Sequence, residues 1–295
     1  MCATCGCGDG AGARIVEPGT HTHAEGHTHT HADGHTHTHA DGHTHAHADD
    51  GHTHTHADAD GHTHADGHTH AQPDTETLTL ETRILAKNDA LAEQNRTWLR
   101  ARGVRAVNLM SSPGSGKTTL LERTITALAG SVAVRVIEGD QETTFDADRI
   151  AAAGAPVLQV NTGSGCHLDA LMVSTALRRL DPHDGLVLIE NVGNLVCPAL
   201  FDLGEDARVV IMSVTEGADK PLKYPHIFAA ASIVVLNKID LLPYVDFDTD
   251  RFAHDVGLVN RRAQILSVSA TRGDGLDEWL DWLAPTRQVA ATLTT

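Results

Sequence analysis

Apolar and polar positions follow two rhythms from about residue 76 to residue 283, and neither rhythm occurs before residue 75. Glu76–Arg102 carries Leu78, Leu80, Ile84, Leu85, Leu91, Trp98 and Leu99 at near-helical spacing, and Gly103 marks its end. Short apolar runs then alternate with amphipathic stretches. The runs Val104–Met110, Ser131–Ile137, Pro156–Val160, Gly185–Glu190, Arg208–Val214, Ser232–Leu236 and Gln264–Val268 predict strands. Lys117–Ala129, Glu142–Ala153, His167–Leu180 and Gly275–Leu283 predict helices. Such alternation implies an α/β fold whose mostly parallel sheet is covered by helices on both faces. Ligands of these sheets bind beyond the carboxyl ends of the strands, so chemistry is expected in the loops that follow strands.

Composition divides the chain at about residue 75. Residues 1–75 have no apolar run and an excess of Gly, His, Thr, Ala and Asp. They cannot bury enough surface to offset the entropy of ordering, so they are expected to form a disordered Cys- and His-rich tail. Residues 76–295 suffice for one domain with a leading helix. Of 22 histidines, the 18 between His21 and His70 lie in six repeats of Asp/Glu-Gly-His-Thr-His and their spacers. The formal charge is −17, and Thr20–Ala71 contributes eight acids with no Lys or Arg. An acidic chain without a basic patch argues against nucleic acid and for cations as partners. No stretch approaches the ~18–20 apolar residues of a membrane span, and residues 1–20 lack the apolar core of a signal peptide. The expected compartment is the cytoplasm, where clustered thiols point to metal more than to disulfides.

Ser111–Thr118 reads SSPGSGKT, after a predicted strand and at the start of a predicted helix, which is the context that defines a P-loop. Gly114, Ser115 and Gly116 would turn backbone N–H groups toward phosphate oxygens. Lys117 would neutralise charge on the β- and γ-phosphates, Thr118 would ligate Mg²⁺, and Thr119 would complete the loop. The generic pattern has Gly where Ser111 stands. Asn237–Asp240 reads NKID after a strand. The Asp240 carboxylate can accept from guanine N1–H and its exocyclic amine, a pattern adenine lacks, with Asn237 and Lys238 as buttress and stacking surface. Ser269 and Ala270 follow the next strand and would add contacts to the base. GTP is thus expected over ATP. Asp140 and Glu190 end strands and are the expected metal-shell carboxylates, with Asp146 in reserve. Gly193 would give its N–H to the γ-phosphate. Asn194 occupies the place of a water-orienting Gln, so slow intrinsic turnover of GTP to GDP is expected.

Cys166 and His167 lie in a Gly-rich turn after a strand, and Cys197 lies four residues beyond Gly193. Two thiolates and an imidazole suit Ni²⁺ or Zn²⁺ and leave room for a further ligand. Small buried cysteines are the alternative. Cys2, Cys5 and Cys7 could wrap a second ion. Alternating His-Thr-His would provide many weak, exchangeable sites, whereas His183, His226 and His254 are isolated.

At these residues the chain resembles the hydrogenase nickel-incorporation GTPases, the HypB family. The resemblance rests on SSPGSGKTTLL (111–121), EGDQETTFDADRI (138–150), NTGSGCHLDA (161–170), IENVGNLVCPALFDLGE (189–205) and NKIDLLPY (237–244). It implies a P-loop NTPase that forms GTP-dependent homodimers. It implies Ni²⁺ delivery to the large subunit of [NiFe]-hydrogenase, alongside a zinc-containing HypA-type chaperone and sometimes a nickel-binding prolyl isomerase. It also implies metal sites at Cys166, His167 and Cys197 and at Cys2, Cys5 and Cys7, with the His-rich tail adding storage. Asp240–Val245 is the candidate dimer face. Two other readings are a urease-type accessory GTPase, and a nickel or zinc storage protein in which GTP only sets conformation.

Overall fold

The computed structural model describes residues 14–16, 37–38, 44–45, 75–141 and 143–284. Seven parallel strands form the body: β4 (Val104–Ser111), β5 (Val134–Asp140), β6 (Val157–Asn161), β7 (Gly185–Glu190), β8 (Ala207–Ser213), β9 (Ile233–Asn237) and β10 (Gln264–Val268). Their order across the sheet is β6-β5-β7-β4-β8-β9-β10. β1 (Arg14–Val16) adds an antiparallel strand beside β6, with Arg14 opposite Asn161 and Val16 opposite Gln159. The composition of residues 1–75 gave no hint of that element. Three residues suffice because β6 offers a free edge and Ile15 packs against the core. In a separate unit, His21–Pro73, β2 (His37–Thr38) pairs antiparallel with β3 (Thr44–His45).

Apolar side chains cover both faces of the sheet. On one face Val107, Leu109, Val209 and Ile211 meet α2 (Lys117–Leu128), α3 (Phe145–Ala152) and α8 (Leu276–Leu283). Trp279 is fully buried there, and its indole N–H donates to Thr124 Oγ1 at 2.9 Å. On the other face α1 (Thr75–Arg100) and α4 (Ala170–Leu180) cover Ala106, Ile137 and Val187. Beside them α6 (Pro225–Ala230) and α7 (Thr249–Val259) cover Met110, Val210 and Val234, with the short α5 (Lys220–Lys223) adjoining α6 and α7. None of the described helices is long and apolar enough to cross a membrane.

Three boundaries move by three residues from the sequence pattern, each for a local reason. β5 begins at Val134 rather than Ser131, because the N–H groups of Ser131 and Val132 both return to Leu128 O at the end of α2. It runs on to Asp140, so two acids sit on the strand itself. α3 begins at Phe145 rather than Glu142, because Asp140 Oδ2 accepts from Thr143 N and Thr143 Oγ1, both at 2.7 Å. α4 begins after Asp169, whose carboxylate accepts from Met172 N at 2.7 Å. α5, α6 and α7 have no counterpart in the sequence reading. α7 carried a usable signal, with Asp248 capping Arg251 N at 2.9 Å ahead of Phe252 and Val256.

Among its described side chains, α1 does not dock by a leucine stripe. Ile84 is exposed, and the buried positions among the described side chains are Asn88, Ala92, Asn95 and Leu99. Asn88 donates to Asp202 O and accepts from Ala170 N. Asn95 donates to Ala170 O at 2.8 Å and Leu203 O at 3.1 Å. Gly204, at φ +89°, must be glycine here, since a Cβ would come within 2.5 Å of Ala92 O. Two amides thus tie α1 to the start of α4 and to residues 202–204. Asn95→Ala should lower unfolding free energy by about 1–3 kcal/mol, because two buried carbonyls lose a donor. Denaturant titration beside the exposed control Lys87→Ala measures this; equal midpoints would refute the clamp.

Candidate functional site

The loop between β4 and α2 turns sharply through Gly114 at φ +74° and Gly116 at φ +94°. Gly116 is also pressed against the chain, because a Cβ there would lie 2.5 Å from Asn237 Nδ2. Lys117 is buried, and its ammonium donates to Ser111 Oγ at 2.8 Å. Ser111, the departure from the generic loop pattern, therefore holds the lysine against the loop. Thr118 Oγ1 donates to Glu190 Oε1 at 2.9 Å. A cleft of about 510 Å³ opens here, lined by Lys117, Thr118, Asp140, Glu190, Gly193 and Lys238 among others.

The far wall of the cleft is acidic. β5 and β7 pair in a register that sets Glu138 beside Glu190. Burial pushes the Glu138 carboxyl up to about 9, and the charges of Glu190, Asp140 and Asp146 add to the effect. Burial also raises Glu190, to about 7, against the pull of Lys117 and the Thr118 hydrogen bond. Glu138 Oε2 and Glu190 Oε2 are buried without a hydrogen-bond partner among the described residues. Clustered carboxylates with unused oxygens beside a threonine hydroxyl fit a hard divalent cation such as Mg²⁺. Asp146 is instead paired with Arg149 at 3.1 Å, and Arg149 also reaches Glu122 and Thr119 Oγ1. Glu138 and Arg149 line or flank the cleft without having been singled out in the sequence. Only the strand register and the fold of α3 bring them there.

Asn237 is a strut between the loops that follow β4, β9 and β10. Its Nδ2 donates to Ser115 O at 2.9 Å, and its Oδ1 accepts from Lys238 N at 2.8 Å and Ala270 N at 3.1 Å. Lys238, at φ +63°, donates from Nζ to Gly114 O at 2.7 Å. Ser269 Oγ donates to Asp240 Oδ1 at 2.6 Å, which fixes the carboxylate. Gly114, Ser115, Gly116, Asn237, Lys238, Asp240, Ser269 and Ala270 thus gather at the carboxyl end of the sheet. Gly193 joins them: a Cβ there would lie 3.2 Å from Pro113.

On the other side of β5 and β7, the ligand atoms of Cys166, His167 and Cys197 all lie within 4.8 Å of one another. The Cys166 Sγ to His167 Nδ1 distance is 3.7 Å. Burial lowers the imidazole's proton affinity, with Asp169 opposing, so the ring favours the neutral form that binds metals. The ring stacks on Phe201 at 3.9 Å between centroids. Cys197 opens a 3₁₀ turn, Cys197–Leu200. Asn194 accepts from Val196 N at 2.7 Å and shapes the approach to it. Phe201 was missed in the sequence, because only the folded loop brings it against His167. Cys2, Cys5 and Cys7 lie outside the described residues. Of the His21–His70 repeats only the backbone of residues 37–38 and 44–45 is described.

Residues 105–267 match the CobW/HypB/UreG nucleotide-binding domain. The chain is 56% identical over 211 residues to the hydrogenase maturation factor HypB of Escherichia coli, covering 71% of this chain and 73% of that one. Its structure is similar to that of HypB from Archaeoglobus fulgidus, with a TM-score of 0.64 at 44% identity, over 68% of this chain and 98% of the other. It is also similar to HypB from Helicobacter pylori solved in complex with nickel, with a TM-score of 0.65 at 35% identity, over 69% and 96% of the two chains. The fold is that of the P-loop nucleotide-binding proteins, and the chain belongs to the HypB family of hydrogenase maturation factors.

Proposed function

We propose that this chain is a GTP-hydrolysing nickel metallochaperone that serves the maturation of [NiFe]-hydrogenase in the cytoplasm. One observation carries the reading. Cys197 sits in the segment that runs on from Glu190 and Gly193, so the residues placed to sense the nucleotide and a ligand of the metal triad share one loop. Asp240, fixed by Ser269, selects guanine. Lys117 leaves Ser111 to neutralise phosphate charge, and Gly193 offers its N–H to the γ-phosphate. Thr118, Asp140 and Glu190 would hold Mg²⁺, which neutralises charge developing on the phosphates. Asn194 is committed to the turn before Cys197, which leaves the attacking water poorly oriented and turnover slow without a partner.

Ni²⁺ is the cargo. Cys166, His167 and Cys197 bind it as two thiolates and a neutral imidazole, and Zn²⁺ competes for the same donors. Cys2, Cys5 and Cys7 form a second site, and the His21–His70 repeats collect and store the ion. A HypA-type chaperone and the hydrogenase large subunit are the partners. Asp240–Val245, most of it in the 3₁₀ turn Ile239–Tyr244, leaves Tyr244 79% exposed with Leu241 and Leu242 half-buried, and supplies the face of a GTP-dependent homodimer.

Three outcomes follow. Lys117→Ala should cut GTP hydrolysis by about 10²-fold or more and abolish hydrogenase maturation while leaving the metal capacity of the repeats intact. Normal maturation in that variant would sink the switch. Cys166→Ala or Cys197→Ala should keep GTP affinity within about threefold, under 1 kcal/mol, yet remove the dependence of Ni²⁺ release to a chelator on bound nucleotide. Release that still tracks GDP against a non-hydrolysable GTP analogue would place cargo elsewhere. Leu241→Ala should sediment as a monomer with the analogue, where the unaltered chain sediments as a dimer; an unchanged dimer would move the interface off this segment.

A further inference from the structure

Between the phosphate-sensing turn and the metal triad lies one side chain that both depend on. Asn191 is 1% exposed and directly follows Glu190. Its Oδ1 accepts two backbone N–H groups, from Val192 at 3.0 Å and from Leu168 at 3.1 Å. Val192 precedes Gly193, and Leu168 follows His167. A single oxygen therefore ties the turn that faces the nucleotide cleft to the peptide that carries the metal-binding imidazole. The amide is itself held from behind. Asn191 Nδ2 donates to Asn108 Oδ1 at 3.3 Å, and Asn108 Nδ2 donates to Glu205 Oε1 at 3.2 Å.

Leu168 makes a second link. Its side chain is fully buried and lodges on Gly139, where a Cβ would come within 2.8–2.9 Å of its Cγ, Cδ1 and Cδ2. Gly139 lies between Glu138 and Asp140, so Leu168 touches the strand end that carries the cleft's carboxylates. Its backbone answers to β7 and its side chain to β5. Both strand ends border the nucleotide cleft.

We infer that Asn191 is a positioning residue: acting through the Leu168 N–H, it transmits the state of the nucleotide cleft to His167. This rests on the proposed GTP-dependent handling of Ni²⁺ and names the contact through which it works. Nucleotide that displaces the Val192–Gly193 peptide pulls on the Asn191 oxygen. The buried Leu168 N–H must follow or lose its acceptor. His167 is one residue away and moves relative to Cys166 and Cys197.

The test uses the full chain and reads backbone amides by NMR and hydrogen exchange, with GDP, a non-hydrolysable GTP analogue and Ni²⁺ as probes. In the unaltered chain the analogue should shift the Leu168 amide, and Ni²⁺ should shift the Val192 amide. In Asn191→Ala each ligand should still shift its own side while both cross-effects vanish. The nucleotide-dependent change in Ni²⁺ affinity, typically about 5–150-fold for such coupling, should fall below about twofold. Asn191→Asp keeps the acceptor oxygen and should restore the cross-effects. Cross-effects that survive in Asn191→Ala would overturn the inference. If that variant does not fold, unaltered protein decides: GTP and Ni²⁺ that both bind without either cross-effect refute it. Failure of the unaltered chain to bind GTP or Ni²⁺ would instead bring down the functional reading, and this inference with it.

Discussion

Parallel pairing of β5 and β7 is the constraint on which the site depends. In a parallel sheet covered on both faces, the strands are mostly apolar and polar side chains collect chiefly where the strands stop. The register that puts Ile137 beside Ile189 puts Glu138 beside Glu190. The same two strands then run into the loops that border the P-loop cleft on one side and the Cys166–His167–Cys197 cluster on the other. A one-residue slip would turn Glu190 away from Thr118 and move Asn191 off Leu168 together. The apolar core fixes that register, so packing far from the cleft sets distances within it.

The two sites are held by different means. The loops after β4 and β9 are tied to one another by a side-chain amide and an ammonium group, with Asn237 and Lys238 reaching the carbonyls of Ser115 and Gly114. The metal side is tied to the body through α1, whose Asn88 and Asn95 grip Ala170 and Leu203, the residues just beyond His167 and Phe201. Leu85, Trp98 and Leu99 add apolar contact to that grip. A helix that lines neither the cleft nor the Cys166–His167–Cys197 cluster is thus a structural support of that cluster.

Much of this was legible in the chain because it is local. Gly114-Ser115-Gly116-Lys117-Thr118 and Asn237–Asp240 are each contiguous, so both motifs can be read from one stretch of chain, although Asn237 and Lys238 also brace the other loop. Cys166, His167 and Cys197 were legible as residue types, and the fold brings their ligand atoms together. What escaped is what depends on neighbours distant in sequence. Asn88 and Asn95 look like surface positions on an amphipathic helix until residues 170 and 203 arrive opposite them. Glu138 reads as one acid among many until β7 pairs alongside. Arg149 lies three residues beyond Asp146, but its contacts with Glu122 and Thr119 exist only because α3 packs against α2. The run Arg14–Val16 is too short to declare itself, and only the open edge of β6 makes it a strand.

The acidic wall of the cleft has a thermodynamic side as well. Glu138 and Glu190 are buried next to each other, and each has an oxygen without a hydrogen-bond partner among the described residues. Bringing two such groups together on folding opposes folding, whichever of them carries the charge. A cation shared between them reverses the sign of that interaction, and a ligand that binds only the folded state adds its own binding energy to the fold. The resistance of this domain to unfolding is therefore a gauge of what occupies the cleft, and protein made in a cell poor in nucleotide and divalent ions would be more readily lost to proteolysis than protein already at work.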